Sequence, residues 1–376
     1  MNLCQRWLRA GTRAACAALL AGAAGRAAEP IRIASIFAQT GVAASDNVLS
    51  LRGVRAAVRE INARGGALGR RIELLELDNL STPIGSKLAA ENAVKNRVTA
   101  IIGAAWSSQT LAMAPIAQAS RTPLITTIST HDGITRIGDC IFRACFNDSF
   151  QGAVMAAFAR DSLHAGSAVT IVDLTSDYST GLAREFERRF QRAGGRISGS
   201  LSYRLKQADF TGLAAEVKAL RPEVVFIPGY WESAVIIKAI RDQGAPAIPL
   251  GGDGWGMGPF YERGGGEITR AYFSTHWAEE IDTPQSRAFT RKFKRGSAEL
   301  DAQEALAYDA VYLLADALRR AGSADREKVR EALAGTRDFT GVTGRISFAQ
   351  GRDPNRSAVI MAISNGKAHY EKSVHP

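Results

Sequence analysis

The stretch IRIASIFAQTGVAASDNVLSLRGVRAAVREINARGG, residues 31–66, decides the fold. Its first seven residues form a short, β-branched apolar run, and small and polar residues follow. The segment from Leu51 then carries Val54, Ala57, Val58 and Ile61 at helical spacing, and Gly65 and Gly66 supply the stop. One strand, one polar turn and one amphipathic helix make half of a βαβ unit. The same rhythm recurs in RIELLELD (71–78) before GSKLAAENAVKN, in TAIIG before TLAMAPIAQAS, and in TPLITTIS beyond it.

A second series restarts with SAVTIVDL (167–174) before STGLAREFERRFQRAGG. It continues with GRISGSLSY before FTGLAAEVKALRP, and EVVFIPG (223–229) before SAVIIKAIRDQG. Strands alternating with helices of this length predict parallel sheets covered on both faces. Two series predict two α/β lobes. The tail breaks the series with the helical patterns EALAYDAVYLLADALRRAG (304–322) and DREKVREALAG, and with residues 345–367, which read as a hairpin around a long polar turn. The tail helices are expected to pack back on the first lobe, which would make both lobes discontinuous.

Composition narrows the function. The chain has 376 residues, 46% hydrophobic and 22% charged, as expected of a folded chain with a sizeable core. Residues 1–28 read as a secretory signal: Arg6, Arg9 and Arg13 precede the run AACAALLAGAAG, with small residues around Ala27 and Ala28. The apolar run is too short for a bilayer span, and TRAA before Cys16 is not a lipoprotein box, so an exported product without a lipid anchor is expected. Without that segment the formal charge falls from +10 to +6, and the basic residues are scattered, so no nucleic-acid partner is called for. Cys140 and Cys145, separated by an extended IFRA, are expected to stay free because an extended spacer holds their Cα atoms beyond bridging distance.

Catalytic machinery is not evident. His131, His164, His276, His369 and His375 have no metal-ligand spacing, there is no GxSxG or Walker loop, and GGDGWGMGP (251–259) does not satisfy GxGxxG. No enzyme activity, metal or cofactor is expected. A hydrolase would require Ser107 to be activated by a base, and no third partner is spaced to orient His131. What stands out is the chemistry at the strand ends, where open parallel sheets bind ligands: GAAWSSQT, TTISTHD, SDYSTG, PGYWES and GGDGWG. Ser107 and Ser108 read as helix caps. Hydroxyls, aromatics and Asp253 together suit an amino acid zwitterion, whose carboxylate a helix N-terminus can hold and whose ammonium an acid and aromatic walls can hold.

The segments GVRAAVREINARGGALGRRIELLELDN, AIIGAAWSSQT, TPLITTIST, IFRACFNDSFQG, DYSTGLA, GGDGWG and FTGVTGRISF, in that order, resemble the leucine/isoleucine/valine-binding branch of the type I periplasmic binding proteins. The resemblance implies an α/β fold of two Rossmann-like lobes with parallel sheets joined by a three-crossing hinge. One lobe would comprise residues 29–147 plus 277–344, and the other 148–276 plus 345–376. It implies a monomeric periplasmic receptor that closes on an amino acid, branched-chain or a related polar or amide compound, and delivers it to an ABC permease in the inner membrane. The alternatives are a sensor of the same fold working with a separate signalling receptor, and a binder of a non-amino-acid carboxylate.

The resemblance gives Ser107 the ligand carboxylate, with Ser129 and Thr130 beside it, and gives the Ile128 carbonyl and Asp253 the ammonium. Tyr178 and Tyr230 would close from the second lobe. Asp46 stands where the family often has an aromatic pocket wall, and Trp106 is a candidate replacement for that wall or a core residue. An aspartate lining the pocket would shift selectivity toward a polar, amide or basic side chain.

Overall fold

The computed structural model describes residues 29–264, 268–294, 300–348 and 351–375; the expected signal segment lies outside them. Strands β1 (Ile31–Phe37), β2 (Ile72–Asp78), β3 (Ala100–Gly103), β4 (Leu124–Thr126) and β5 (Ile141–Arg143) form one sheet in the order β2-β1-β3-β4-β5. Every neighbouring pair is parallel. β3, β4 and β5 are buried throughout, because helices cover both faces and leave no solvated side on which polar residues could alternate. The first of these helices, Ala44–Ala63, buries Val54, Ala57, Val58 and Ile61, as their spacing predicts.

The second sheet contains β6 (Ser167–Asp173), β7 (Arg196–Tyr203), β8 (Val224–Phe226), β9 (Ile248–Gly251) and β10 (Ala271–Thr275), parallel in the order β10-β9-β8-β6-β7. Two short strands, β11 (Phe339–Gly341) and β12 (Gly344–Ile346), pair with each other as a two-stranded sheet among the described residues, whereas β13 (Ala358–Ser364) and β14 (Lys367–Val374) extend the second sheet antiparallel beyond β10. The hairpin expected over 345–367 is therefore corrected. β12 and β13 are both strands, but each finds its hairpin partner on its other side in sequence, and the segment between them is a connection between sheets.

The tail helices return to the first sheet. Ala302–Ala321 lies against Ala44–Ala63 so closely that a β-carbon on Gly53 would sit 2.2 Å from the Glu304 carbonyl oxygen. Arg52 grips the buried Glu304 carboxylate with two nitrogens, and Tyr308 donates to Glu60 at 3.0 Å.

The chain thus passes between the two lobes three times: after β5, after β10 and between β12 and β13. Buried Arg356 ties two of these crossings together by donating to the carbonyls of Ala144 and Thr343. Asp353 accepts from Arg143 at 2.6 Å and from Asn147 at 3.3 Å. Cys140 and Cys145 are free and buried, as the extended β5 requires, and burial pushes their thiols up to about 11 and about 12.

Candidate functional site

The site begins where β3 ends. Gly103 has φ +133°, and a β-carbon there would lie 2.2 Å from the Ile36 carbonyl oxygen, so the glycine lets the chain turn against β1. The helix Ser107–Ala119 follows, and its N-cap is Trp106, with no side-chain cap. The expected serine caps are thus corrected: Ser107 and Ser108 already lie inside the first turn and reach outward. Ser107 Oγ accepts from the His131 N–H at 3.2 Å, and Ser108 Oγ accepts from the Asp177 N–H of the second lobe at 3.3 Å. The uncapped helix N-terminus keeps amide donors and a positive dipole end at the seam between the lobes.

The neighbouring loop divides its residues between scaffold and site. Ser129 is scaffold: its hydroxyl is bonded to Thr110 Oγ1 at 2.7 Å and to the carbonyls of Ala104 and Ala105 at 3.0 Å, and its own carbonyl accepts from Arg143. The Arg143 guanidinium also holds the His131 carbonyl, which fixes the loop from both ends. Ile128 and Thr130 are buried beside it, and Thr130 Oγ1 has no partner.

From the second lobe, Asp253 is buried beyond the end of β9. One carboxylate oxygen accepts from Gln151 Nε2 at 2.8 Å, and the other meets His276 Nε2 at 3.1 Å. Burial holds the His276 imidazole below its usual range, so it is neutral; its Nε2–H then faces Asp253, and Nδ1 is left as an unpartnered acceptor. Tyr178 Oη accepts from the Gly254 N–H at 3.1 Å, which sets the Asp253 loop against the helix Asp177–Arg192.

Asp148, at the start of the helix Asp148–Ala157, is fully enclosed. Burial, and then the charge of Asp253, raise its carboxyl well above the usual range; the Thr130 hydroxyl favours the charged form, but neither Asp148 oxygen completes a hydrogen bond. Thr130 Oγ1, both Asp148 oxygens, Gln151 Oε1 and His276 Nδ1 are all buried and unpartnered, and all can accept.

A row of rings runs from this cluster across the seam. Tyr178 and Tyr230 lie 5.3 Å apart, and Tyr230 stacks on Trp106 of the first lobe at 4.6 Å and 12°. Trp106 is therefore neither a simple core residue nor an open pocket wall: it is the first lobe's half of a closed contact.

Beyond it sits Asp46, fully buried in the first turn of its helix and so close to the second lobe that a β-carbon on Gly258 would lie 1.9 Å from Oδ1. Its carboxyl is pushed up to about 7, chiefly by burial and secondarily by the charge of Glu232, against the Ser45 hydroxyl and the Trp106 indole. Glu232 of the second lobe is also buried and raised; one oxygen accepts from Tyr203 Oη at 2.7 Å and from the Tyr230 N–H at 3.0 Å, and the other has no partner.

The strands, their order and this seam give the architecture shared by two-lobed solute receptors, and the family model described as periplasmic binding protein matches residues 30–368. The chain belongs to the periplasmic binding protein family. A leucine-binding protein of Thermotoga maritima is 33% identical, with a TM-score of 0.86 over 92% of this chain and 99% of that one. The branched-chain amino acid transporter substrate-binding protein of Streptococcus pneumoniae, solved with isoleucine, is 30% identical, with a TM-score of 0.84 over 92% of this chain and 100% of that one. The Leu/Ile/Val-binding protein homolog 2 of Brucella abortus is 29% identical over 312 residues, 82% of this chain and 84% of that protein.

In this periplasmic binding protein Asp46, Trp106, Thr130, Tyr178, Tyr230 and Asp253 lie buried along the seam, Ser107 stands in the first turn of the helix that meets the second lobe through Ser108, Ile128 is buried in the loop before Thr130, and Ser129 is turned into the scaffold. Sequence reasoning missed Asp148, Gln151, His276 and Glu232. Asp148 and Gln151 lie within IFRACFNDSFQG at the start of the helix Asp148–Ala157, and His276 directly follows β10. That position and the place of Glu232 in PGYWES, both past strand carboxyl ends, were the signal available.

A separate cavity of about 740 Å³, lined by residues of the helices Ala44–Ala63, Pro284–Phe293 and Ala302–Ala321 and of β11, includes none of the site residues. There Glu60 already holds Tyr308, Tyr312 and Lys292. Among the described residues, no group of three or more His, Cys, Asp or Glu side chains is placed to hold a metal ion, and no helix is long and apolar enough to cross a membrane.

Proposed function

We propose that this chain is the periplasmic substrate-binding protein of an ABC importer, that it acts as a monomer handing cargo to an inner-membrane permease, and that the cargo is an α-amino acid enclosed between the lobes. The observation that carries this reading is the set of buried, unpartnered acceptors around Asp253: Thr130 Oγ1, the Asp148 carboxyl, Gln151 Oε1 and His276 Nδ1. Buried polar groups are ordinarily hydrogen-bonded, and a cluster in which acceptor sites outnumber donors suits an ammonium group. The ligand carboxylate has a complementary seat at the uncapped N-terminus of Ser107–Ala119, with the Ser107 hydroxyl beside it. Two relatives of at least 30% identity, a leucine-binding protein and an isoleucine-bound importer component, support the same class of cargo.

The ligand would dock on the first lobe through Ser107, Thr130 and the Ile128 carbonyl. The second lobe then closes through Tyr178, Tyr230 and Asp253, and the gain of these contacts shifts the population toward the closed form. No step of this cycle breaks a covalent bond, and the roles of these residues are binding roles. The test is a thermal-shift screen of the chain from Glu29 onward against the amino acids and against matched carboxylates without an amine. A ligand that binds only the folded state raises Tm in proportion to the logarithm of concentration over Kd. Stabilisation by amino acids alone is expected; stabilisation by amine-free carboxylates alone would refute the ammonium seat.

A further inference from the structure

The cavity of about 740 Å³ between Ala44–Ala63, Pro284–Phe293, Ala302–Ala321 and β11 is of small-molecule size, and nothing in the closure of the lobes uses it. Its lining is rich in rings. Tyr308 and Tyr312, one turn apart on Ala302–Ala321, have centroids 4.7 Å apart, and Phe289 meets Tyr308 edge-on at 5.3 Å. Both tyrosine hydroxyls donate to the same Glu60 oxygen, at 3.0 and 3.2 Å, so the rings are pinned and their hydroxyls are spent. What they offer an occupant is ring surface. Partly exposed Phe339 of β11 adds a fourth ring to the lining.

The charges around these rings differ in what they have left to give. Glu60, Asp309, Asp316 and Asp338 line the cavity, and each is engaged. The second Glu60 oxygen lies 2.6 Å from Lys292 Nζ. Asp309 accepts from the Val342 N–H at 2.7 Å and from the Thr343 N–H and hydroxyl at 2.8 and 2.6 Å. Asp316 accepts from Arg319 at 3.4 Å and Arg320 at 2.7 Å, and Asp338 pairs with Arg345. Arg337, also in the lining, is different: its Nη1 donates to the carbonyls of Ala334 and Thr336 at 3.0 and 3.1 Å, and it has no acidic partner among the described residues. Those two bonds anchor the guanidinium to the end of the helix Arg326–Ala334 and leave Nε and Nη2, the pair that forms a bidentate fork, to an incoming anion. A cationic occupant would find every carboxylate taken.

We infer that this cavity is a second binding site, for a planar aromatic anion whose rings lie against Tyr308, Tyr312 and Phe339 and whose charged group meets Arg337. The site is separate from the seam between the lobes, and the inference stands whatever cargo the seam encloses.

Fluorescence titration of the chain from Glu29 onward with anilinonaphthalene sulfonate, an aromatic anion, tests this, with phenylnaphthylamine as the same ring system without the charge. Saturable binding of one sulfonate probe per chain is expected. Arg337 is exposed, so Arg337→Gln leaves the fold intact, and it should weaken the sulfonate about tenfold, the worth of a charge-assisted fork, while leaving the uncharged probe unchanged. Ala288→Trp, on the exposed face of Pro284–Phe293 and in the cavity lining, should fill the space and abolish binding of both probes. Absence of saturable binding, or full binding by an Ala288→Trp chain that melts at the natural Tm, would overturn the site. An Arg337→Gln chain that binds the sulfonate as tightly as the natural protein would overturn the anionic class of the ligand.

Discussion

At the scale of single residues, the seam is governed by carboxyl groups whose environments differ. Asp253 is bonded on both oxygens, so Asp253→Ala removes an acceptor for the ligand and also frees Gln151 and His276. Calorimetric affinity for the α-amino ligand should fall by about 2–5 kcal/mol, the usual loss when one partner of a buried charged pair is removed. Asp46 predicts a pH effect with a definite sign. Its carboxyl holds a proton up to about 7 in the folded protein, whereas the unfolded chain releases it near the ordinary carboxylate value, so the folded state binds more protons in between. Stability is therefore full below the unfolded pKa and is lost as pH rises toward 7. Asp46→Asn removes that loss: Tm should rise at pH 8 and barely change at pH 4, and equal shifts at both would contradict the assignment. Asp46 was legible as a departure at a pocket position, but the burial that raises its carboxyl was not, because that burial exists only in the folded chain.

At the scale of elements, strand and helix periods carried most of the information. The short apolar run Ile31–Phe37 forms a strand buried on both faces, and Val54, Ala57, Val58 and Ile61 form one buried helical face, since a continuous run and a 3.6-residue period bury different residues. The 345–367 segment misled because a strand-like run does not name its partner; β12 went to β11 and β13 to β14. The serines misled by one position: Trp106 takes the N-cap, and the hydroxyls are released to the His131 and Asp177 amides. Gly53 is the clearest prediction at this scale. With the Glu304 carbonyl 2.2 Å from its notional β-carbon, Gly53→Ala must push the helices Ala44–Ala63 and Ala302–Ala321 apart. Overpacking of this kind is worth about 1–3 kcal/mol, to be read as a lowered urea midpoint with ligand affinity retained.

At the scale of the whole molecule, what matters is the balance between open and closed lobes. The two halves of the seam are held by the Trp106–Tyr230 stack, the Ser108–Asp177 contact and the close approach of Gly258 to Asp46. Trp106→Ala removes the largest of these, and an aromatic pair is worth about 0.5–1.5 kcal/mol beyond its buried area. In the absence of ligand the variant should show a larger radius of gyration by small-angle X-ray scattering, and saturating ligand should restore the compact value. The same stack gives the protein a built-in optical probe. Trp106 is sealed between a tyrosine ring and a carboxyl group when the lobes meet, and is hydrated when they part, so its emission colour and intensity must change with each cycle. Domain closures run on the order of microseconds to milliseconds, within reach of rapid-mixing and temperature-jump fluorimetry, and the gate's kinetics can be followed without attaching a dye.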